Sequence, residues 1–211
     1  MFNEFGYVLL PKDTILYHTT DKEFIYRPEK PMLFCTFHPS EWEGINDYVV
    51  TIKLKKDLKV LFMISGFKKH FIYSSLDKIN NYDYLSKQRN NKLINLCEKL
   101  KLANLDGWLS SIENKSCIEI ALINNQDFFE LYSFNKLYRN WRNGNNLNNK
   151  LSLKNWGKKY EISTLNNPLT FYVSNYYKKM LEEYKKYGET SRFPKEYALQ
   201  VILENAKIIV I

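Results

Sequence analysis

Short apolar runs rich in β-branched and aromatic residues constrain the fold of this chain more than any other feature. The clearest run is Tyr48–Leu54, which reads Tyr-Val-Val-Thr-Ile-Lys-Leu. Runs of this length and composition predict β-strands, because branched side chains pack well on a pleated surface. The other runs for which we predict strands are Thr14–Tyr17, Met32–Thr36, Lys59–Ile64, Cys117–Ile123 and Ala206–Ile211, with a turn into a strand at Leu105–Trp108 and either a helix turn or a strand at Asn125–Leu131.

Helical spacing appears in the longer apolar stretches. Tyr84–Leu102 carries Leu93, Leu96 and Leu100 on one face, with lysine, arginine and asparagine on the other. We predict a second helix with a basic face over Phe171–Tyr187, and a last helix from Pro194 to Glu204. Strands and helices in this order predict a mixed α+β fold, with a mainly antiparallel sheet and flanking helices.

The 211 residues of the chain suffice for one substantial domain. Hydrophobic residues make up 45% and charged residues 26%, which is typical of a folded core. We predict a single domain over 1–211, in which 140–160 form a polar, basic surface loop and 168–205 a helical C-terminal part. A boundary near residue 140 is the alternative, but Ala206–Ile211 fits better as a strand that returns to the main sheet.

The formal net charge of +8 favours an anionic partner, such as nucleic acid or an acidic protein. The alternative is that lysine simply solubilises the surface; lysine far outnumbers arginine, which weakens the nucleic-acid interpretation.

A basic stretch interleaved with tryptophan suits contact with phosphates and stacking on bases. Its candidate residues for a nucleic acid or another anionic partner are Arg139, Trp141, Arg142, Lys154, Lys158 and Lys159. The alternative for this stretch is a solvated loop with its tryptophans packed beneath it.

The three cysteines, Cys35, Cys97 and Cys117, are odd in number and show no Cys-x-x-Cys spacing. This pattern supports neither a zinc site nor a disulfide framework, and it predicts free thiols in a reducing compartment. No signal peptide is visible at the N-terminus, and no stretch approaches the roughly 20 apolar residues of a membrane span. We therefore expect a soluble, cytoplasmic protein without a metal. The abundance of Asn, Lys, Ile and Tyr fits an AT-rich genome, such as that of a parasite, a low-GC bacterium or a large DNA virus.

Three short segments hold the residue types that can carry chemistry. Leu16–Thr20 ends in a histidine and two hydroxyls, Met32–Thr36 ends in a hydroxyl, and Glu119 interrupts the apolar run Ile118–Ile123. A carboxylate inside an apolar strand needs polar partners if it is buried. These segments are therefore candidates for parts of one site.

The order of these segments, together with Asp106-Gly107-Trp108, resembles the ADP-ribosyltransferase fold. It is similar to the branch with a histidine-tyrosine-glutamate triad, as in diphtheria-toxin-like enzymes and poly-ADP-ribose polymerases, and it covers roughly residues 14 to 125. The resemblance implies a split, mainly antiparallel sheet that grips NAD in a cleft. It also implies a glycosyltransferase that moves ADP-ribose to an acceptor: a protein, a nucleic acid or a small molecule.

The resemblance also implies roles for individual residues. His18 would bind a ribose hydroxyl, and Glu119 would stabilise the transition state. Thr19, Thr20 and Thr36 match the small and hydroxyl-bearing positions that line the NAD cleft. The family tyrosine has no match in this chain: Trp42 is the nearest aromatic that could stack on nicotinamide, and Tyr48 comes later, at the start of a predicted strand.

Each candidate has a structural alternative. His18 could be a hydrogen-bonded histidine at a strand end, and Thr19 and Thr20 could cap a helix that starts at Asp21. Trp42 could be a core anchor, and Glu119 could point outward from a half-exposed strand.

Two further functions stay open. One is a catalytically inactive, basic module that binds nucleic acid or a host protein. The other is NAD-dependent removal of a 2′-phosphate from RNA, for which Lys12 and Arg27 are the nearby basic candidates.

Overall fold

The structure, a computed structural model, describes residues 6–20, 30–37, 48–62, 82–111, 118–136, 169–187, 203 and 206–211. Within these ranges the chain forms ten strands and two helices. They are β1 (Tyr7–Leu10), β2 (Ile15–Thr20), β3 (Met32–Thr36), β4 (Tyr48–Leu54), β5 (Leu58–Phe62), α1 (Tyr82–Leu102), β6 (Gly107–Ser111), β7 (Ile118–Ile123), β8 (Phe129–Lys136), β9 (Thr170–Val173), α2 (Asn175–Tyr187) and β10 (Lys207–Val210). The predicted mixed α+β class is confirmed.

Most predicted elements are confirmed with small shifts of their ends. β3 and β4 have the bounds that the sequence predicts, and α1 covers the predicted helix and starts two residues before it. Asn125–Leu131 is a turn that leads into β8: the Asp127 backbone N–H donates to Asn125 Oδ1 at 2.9 Å. The terminal strand is confirmed as part of the main sheet, where β10 pairs in parallel with β9.

The prediction of one helix over Phe171–Tyr187 is wrong at its start. Residues 170–173 form β9, so the part of the chain over 168–205 is not helical throughout. The sequence Thr-Phe-Tyr-Val is aromatic and β-branched, which favours a strand. The helix begins only after Ser174, whose Oγ accepts a hydrogen bond from the Tyr177 backbone N–H at 3.2 Å and so acts as an N-cap. β1 has no counterpart in the sequence prediction.

All ten strands join one sheet in the order β10-β9-β1-β5-β6-β7-β3-β2-β4-β8. The pairs β10–β9 and β5–β6 are parallel, and the other neighbours are antiparallel. The extent of pairing is uneven. β2 pairs with β4 over six residues and β3 with β7 over five, whereas a single pair, Tyr17 with Thr36, joins β2 to β3. Backbone pairing between neighbouring strands is therefore shortest at the β2–β3 junction.

Ring packing holds α2 against the sheet. Phe62 of β5 meets Phe171 and Tyr177 edge-on, with centroid distances of 5.3 and 5.8 Å. Tyr177 and Leu181 of α2 are both buried. Burying one such side chain contributes roughly 1.5–3 kcal/mol, so this contact stabilises the β9 half of the sheet.

The end of α1 positions β6. Asn104 takes a left-handed conformation (φ 54°), and the Leu105 backbone N–H donates to Leu100 O at 2.9 Å, which ends the helix. Asp106 then exchanges hydrogen bonds with the backbone of Lys59: its N–H donates to Lys59 O at 2.7 Å, and its Oδ2 accepts from the Lys59 N–H at 2.8 Å. β6 is thus aligned beside β5 from its first residue.

Neither helix of the described ranges combines the length and apolar composition needed to cross a membrane.

Candidate functional site

The buried polar side chains of the described residues form one row across the sheet. Four polar side chains are buried there: Thr36 (1% exposed), Thr51 (7%), Ser110 (0%) and Glu119 (6%). The strand register pairs Thr51 with Tyr17, Tyr17 with Thr36, Thr36 with Glu119 and Glu119 with Ser110. Directly opposed residues of antiparallel strands project from the same face of a sheet. Thr51, Tyr17, Thr36, Glu119 and Ser110 therefore form a polar row over β4, β2, β3, β7 and β6.

The surroundings of the polar row are apolar. Ala121, two residues from Glu119 along β7 and on the same face, is fully buried, and Ile118 and Ile120 are buried on the opposite face. Phe34 and Trp108 lie on the same face, two residues from Thr36 and Ser110 along their strands. Their rings meet edge-on at a centroid distance of 5.9 Å. A carboxylate held in such an environment interacts strongly with any positive charge or hydrogen-bond donor placed beside it. The row is thus a set of buried polar side chains with apolar neighbours on the same face.

Thr36 and Glu119 are the sequence-predicted site residues that the structure brings face to face. They are direct register partners on β3 and β7. The burial of Glu119 contradicts the alternative in which its side chain points outward into solvent. Both lie at the β2–β3 junction, because Thr36 is also the residue that pairs with Tyr17 of β2.

His18 reaches the same junction from the neighbouring strand. Its Nδ1 donates a hydrogen bond to the backbone carbonyl of Phe34 in β3 at 2.7 Å. Phe34 lies beyond the single β2–β3 pair, so the imidazole links the two strands where backbone pairing has stopped. His18 follows Tyr17 along β2, and successive residues of a strand alternate between faces. The Cβ of His18 therefore projects from the face opposite to that of the polar row.

Burial keeps the His18 ring neutral. It lowers the pKa of the imidazole below its ordinary value, an effect that the Phe34 carbonyl partly opposes. A carbonyl can only accept, so the neutral ring carries its proton on Nδ1 and its lone pair on Nε2.

The lowered pKa of His18 makes stability depend on pH. The unfolded chain takes up a proton near pH 6.5 and the folded protein does so only at lower pH. The free energy of unfolding should therefore fall as pH drops through about 6.5, and level off below the folded pKa. His18→Asn keeps a donor near the position of Nδ1 and cannot titrate, so it should lack this part of the slope. Urea unfolding at pH 5 to 8 measures the difference. The two proteins should change alike between pH 7 and 8, and an identical slope in both at pH 5 to 6.5 would exclude His18 as its source.

Thr19, Thr20 and Tyr48 lie at one end of the β2–β4 pair. Thr20 pairs with Tyr48 and Thr19 with Val49. The two threonines are the last residues of β2, and the residues after them, on which the alternative of a helix cap depends, lie outside the described ranges. Tyr48 is the first residue of β4, as the sequence predicts.

Several predicted residues lie outside the described ranges. They are Trp42, the proposed stacking aromatic, Cys117, and the basic candidates Arg139, Trp141, Arg142, Lys154, Lys158 and Lys159.

Sequence reasoning missed Ser110, Tyr17 and Thr51. The signal that could have found Ser110 is its place two residues after Trp108, since both side chains then share one face of a strand. Ser110 Oγ and Trp108 Nε1 are buried and have no hydrogen-bond partner among the residues that the structure describes. The site therefore contains polar groups that the described residues do not satisfy.

The two described cysteines are inert thiols. Cys35 and Cys97 are free and buried, as expected for them from the sequence. Burial, and to a lesser extent the Glu119 carboxylate, raises the pKa of Cys35 far above its usual range, and burial raises that of Cys97 to about 11. Both thiols are protonated at neutral pH and are poor nucleophiles. The described part of the chain contains no group of three His, Cys, Asp or Glu side chains placed to hold a metal ion.

Comparison of the chain with protein-family models, with curated proteins and with solved structures finds no match.

Proposed function

We propose that this protein is an NAD-dependent ADP-ribosyltransferase-like enzyme that transfers ADP-ribose to an acceptor. The observation that carries the proposal is the buried Glu119, in register with Thr36 beside the one-pair junction of β2 and β3. In the proposal, that junction is where the sheet splits to admit NAD. This assigns the split sheet of the resembled family to a specific pair of strands.

Glu119 supplies the main chemical effect in this proposal. Breaking the bond between nicotinamide and ribose develops positive charge on the sugar, as in other oxocarbenium-like reactions. A carboxylate that accepts a hydrogen bond from a ribose hydroxyl stabilises this charge as it forms. The buried apolar residues on the same face, Ala121 and Trp108, strengthen the effect, because they exclude water.

His18 has a positioning role in the proposal. Its Nδ1–H bond to Phe34 O holds β3 beside β2 where the ladder ends. Because burial lowers its pKa, the ring brings no positive charge near the cationic nicotinamide. Its Cβ lies on the face opposite to Glu119. The carboxylate of Glu119 therefore acts on the reacting bond, and the imidazole does not need to touch it.

An NAD titration tests the proposal directly. A ligand that binds only the folded state adds about 2.7 kcal/mol at a concentration of 100 Kd, which raises Tm by roughly 5–11 °C for a chain of this size. We expect a rise of this order in a thermal-shift assay with NAD, and saturable heat in calorimetry. Adenosine, which lacks the nicotinamide ribose, should shift Tm less at the same concentration.

A basic binding module is the second candidate function. The net charge of +8 favours it, as does α2, where Lys179 and Lys186 are exposed while Tyr177 and Leu181 are buried. It predicts no response to NAD and an affinity for nucleic acid that falls steeply with salt. That pair of results would replace the enzyme proposal.

A further inference from the structure

Ser110 places a second polar group against Glu119. The two residues are direct partners on the antiparallel strands β6 and β7, so their side chains are adjacent on one face. Ser110 is fully buried, and in the described part of the chain its Oγ has no hydrogen-bond partner. Folding has therefore stripped water from this hydroxyl without replacing the lost hydrogen bond.

A second donor with the same property lies on the same strand. Trp108 is two residues before Ser110, so both side chains project from one face of β6. Trp108 is fully buried as well, and its Nε1 lacks a hydrogen-bond partner within the described ranges. Folded proteins satisfy the great majority of their buried polar atoms. Two of the three such atoms in the described ranges belong to β6 side chains on the face that carries Glu119, and they point to a ligand that supplies the missing partners.

The chemistry of these groups restricts that ligand. The indole N–H can only donate, the hydroxyl can do both, and an ionised carboxylate can only accept. A phosphate would accept from Ser110 but would be repelled by Glu119. A sugar hydroxyl can accept from Ser110 and donate to Glu119 at the same time. The site thus selects a neutral, hydroxyl-bearing group.

We propose that Ser110 is a ligand-binding residue whose hydroxyl donates to a sugar hydroxyl that in turn donates to Glu119. This inference rests on the proposed function, in which the sugar is the nicotinamide ribose of NAD. In this proposal the ligand enters at the β2–β3 junction, where Tyr17, the register partner of Thr36, is only half-buried.

The test compares Ser110→Ala with the wild-type protein in two measurements. If the hydroxyl is unsatisfied until NAD binds, its removal should leave Tm unchanged or raise it by roughly 2–4 °C. The same variant should bind NAD roughly 3- to 10-fold more weakly in calorimetry, because one hydrogen bond to the sugar is lost. A Tm that is unchanged or higher, together with weaker NAD binding, distinguishes a ligand-binding hydroxyl from a structural one.

Thr170→Val is the matched control. It removes a half-buried hydroxyl on β9, outside the polar row. Its NAD affinity should stay within about twofold of the wild-type value.

Each contrary outcome is distinct. If wild-type protein binds NAD and Ser110→Ala binds it equally well, the inference fails while the proposed function stands. If Ser110→Ala lowers Tm by several degrees, the hydroxyl already has a partner in the free protein, such as a buried water, and the inference fails. If the wild-type protein does not bind NAD, the proposed function fails and the inference falls with it.

Discussion

Glu119→Gln should lower the rate of nicotinamide release from NAD by about 10²- to 10³-fold and leave the fold intact. The substitution keeps the size of the side chain and its acceptor oxygen, and it removes the negative charge that stabilises the transition state. NAD affinity should change only several-fold, because the charge matters most when the sugar becomes cationic. Chromatography of released nicotinamide measures the rate, and circular dichroism checks the fold.

Glu130→Gln is the matched control for this experiment. Glu130 is an exposed carboxylate on β8, so the same change in charge occurs outside the polar row. Its rate should match that of the wild-type protein. Unchanged release in Glu119→Gln, with a folded protein, would remove Glu119 from the mechanism and leave its burial as a purely structural feature.

Gly107→Ala should destabilise the protein by about 1–3 kcal/mol or more, with a corresponding loss of Tm. A Cβ on Gly107 would overlap the Ala121 carbonyl oxygen and lie 2.9 Å from Leu122 Cα, both on the backbone of β7. Backbone atoms in the middle of a sheet cannot move aside as a flexible side chain can, so β6 and β7 must separate. Urea unfolding measures the effect.

The same substitution should also weaken the site, because Gly107 and Ser110 belong to the strand that faces Glu119. Lys59→Ala is a suitable control: it changes an exposed side chain on the neighbouring strand β5, and we expect a change within about 0.5 kcal/mol. A Gly107→Ala protein as stable as the wild type would mean that β6 and β7 can shift freely past each other, and that the polar row is not rigidly aligned.

Local patterns in the sequence were sufficient for most of the elements. The β-branched run Tyr48–Leu54 and the leucine spacing of Tyr82–Leu102 both depend on neighbours within a few residues, and both appear where the sequence predicts them. β9 shows the limit of this reasoning. Its four residues run into a strongly periodic helix, and its strand conformation depends on pairing with β1 and β10, which are remote in sequence.

The candidate site divides in the same way. The sequence singled out Glu119 and Thr36 because a carboxylate and a hydroxyl at these places in apolar strands match the pattern of the resembled family. That resemblance could not show that the two are register partners. It also could not show that His18 projects from the opposite face and donates to a backbone carbonyl of β3. The register of β2 against β3 decides both, and that register is a contact between distant segments.

The sequence by itself determined most of the element types, the basic charge and the carboxylate at the centre of the candidate site, because each of these is a local property. Only the tertiary structure decided which strands are neighbours and in what register, and so aligned Thr51, Tyr17, Thr36, Glu119 and Ser110 in one row. The physical reason is that a one-residue slip of a strand reverses every side chain, so the row exists only through contacts between distant segments. Ser110, an ordinary serine in the sequence, becomes an unsatisfied group beside a buried carboxylate only in the folded sheet.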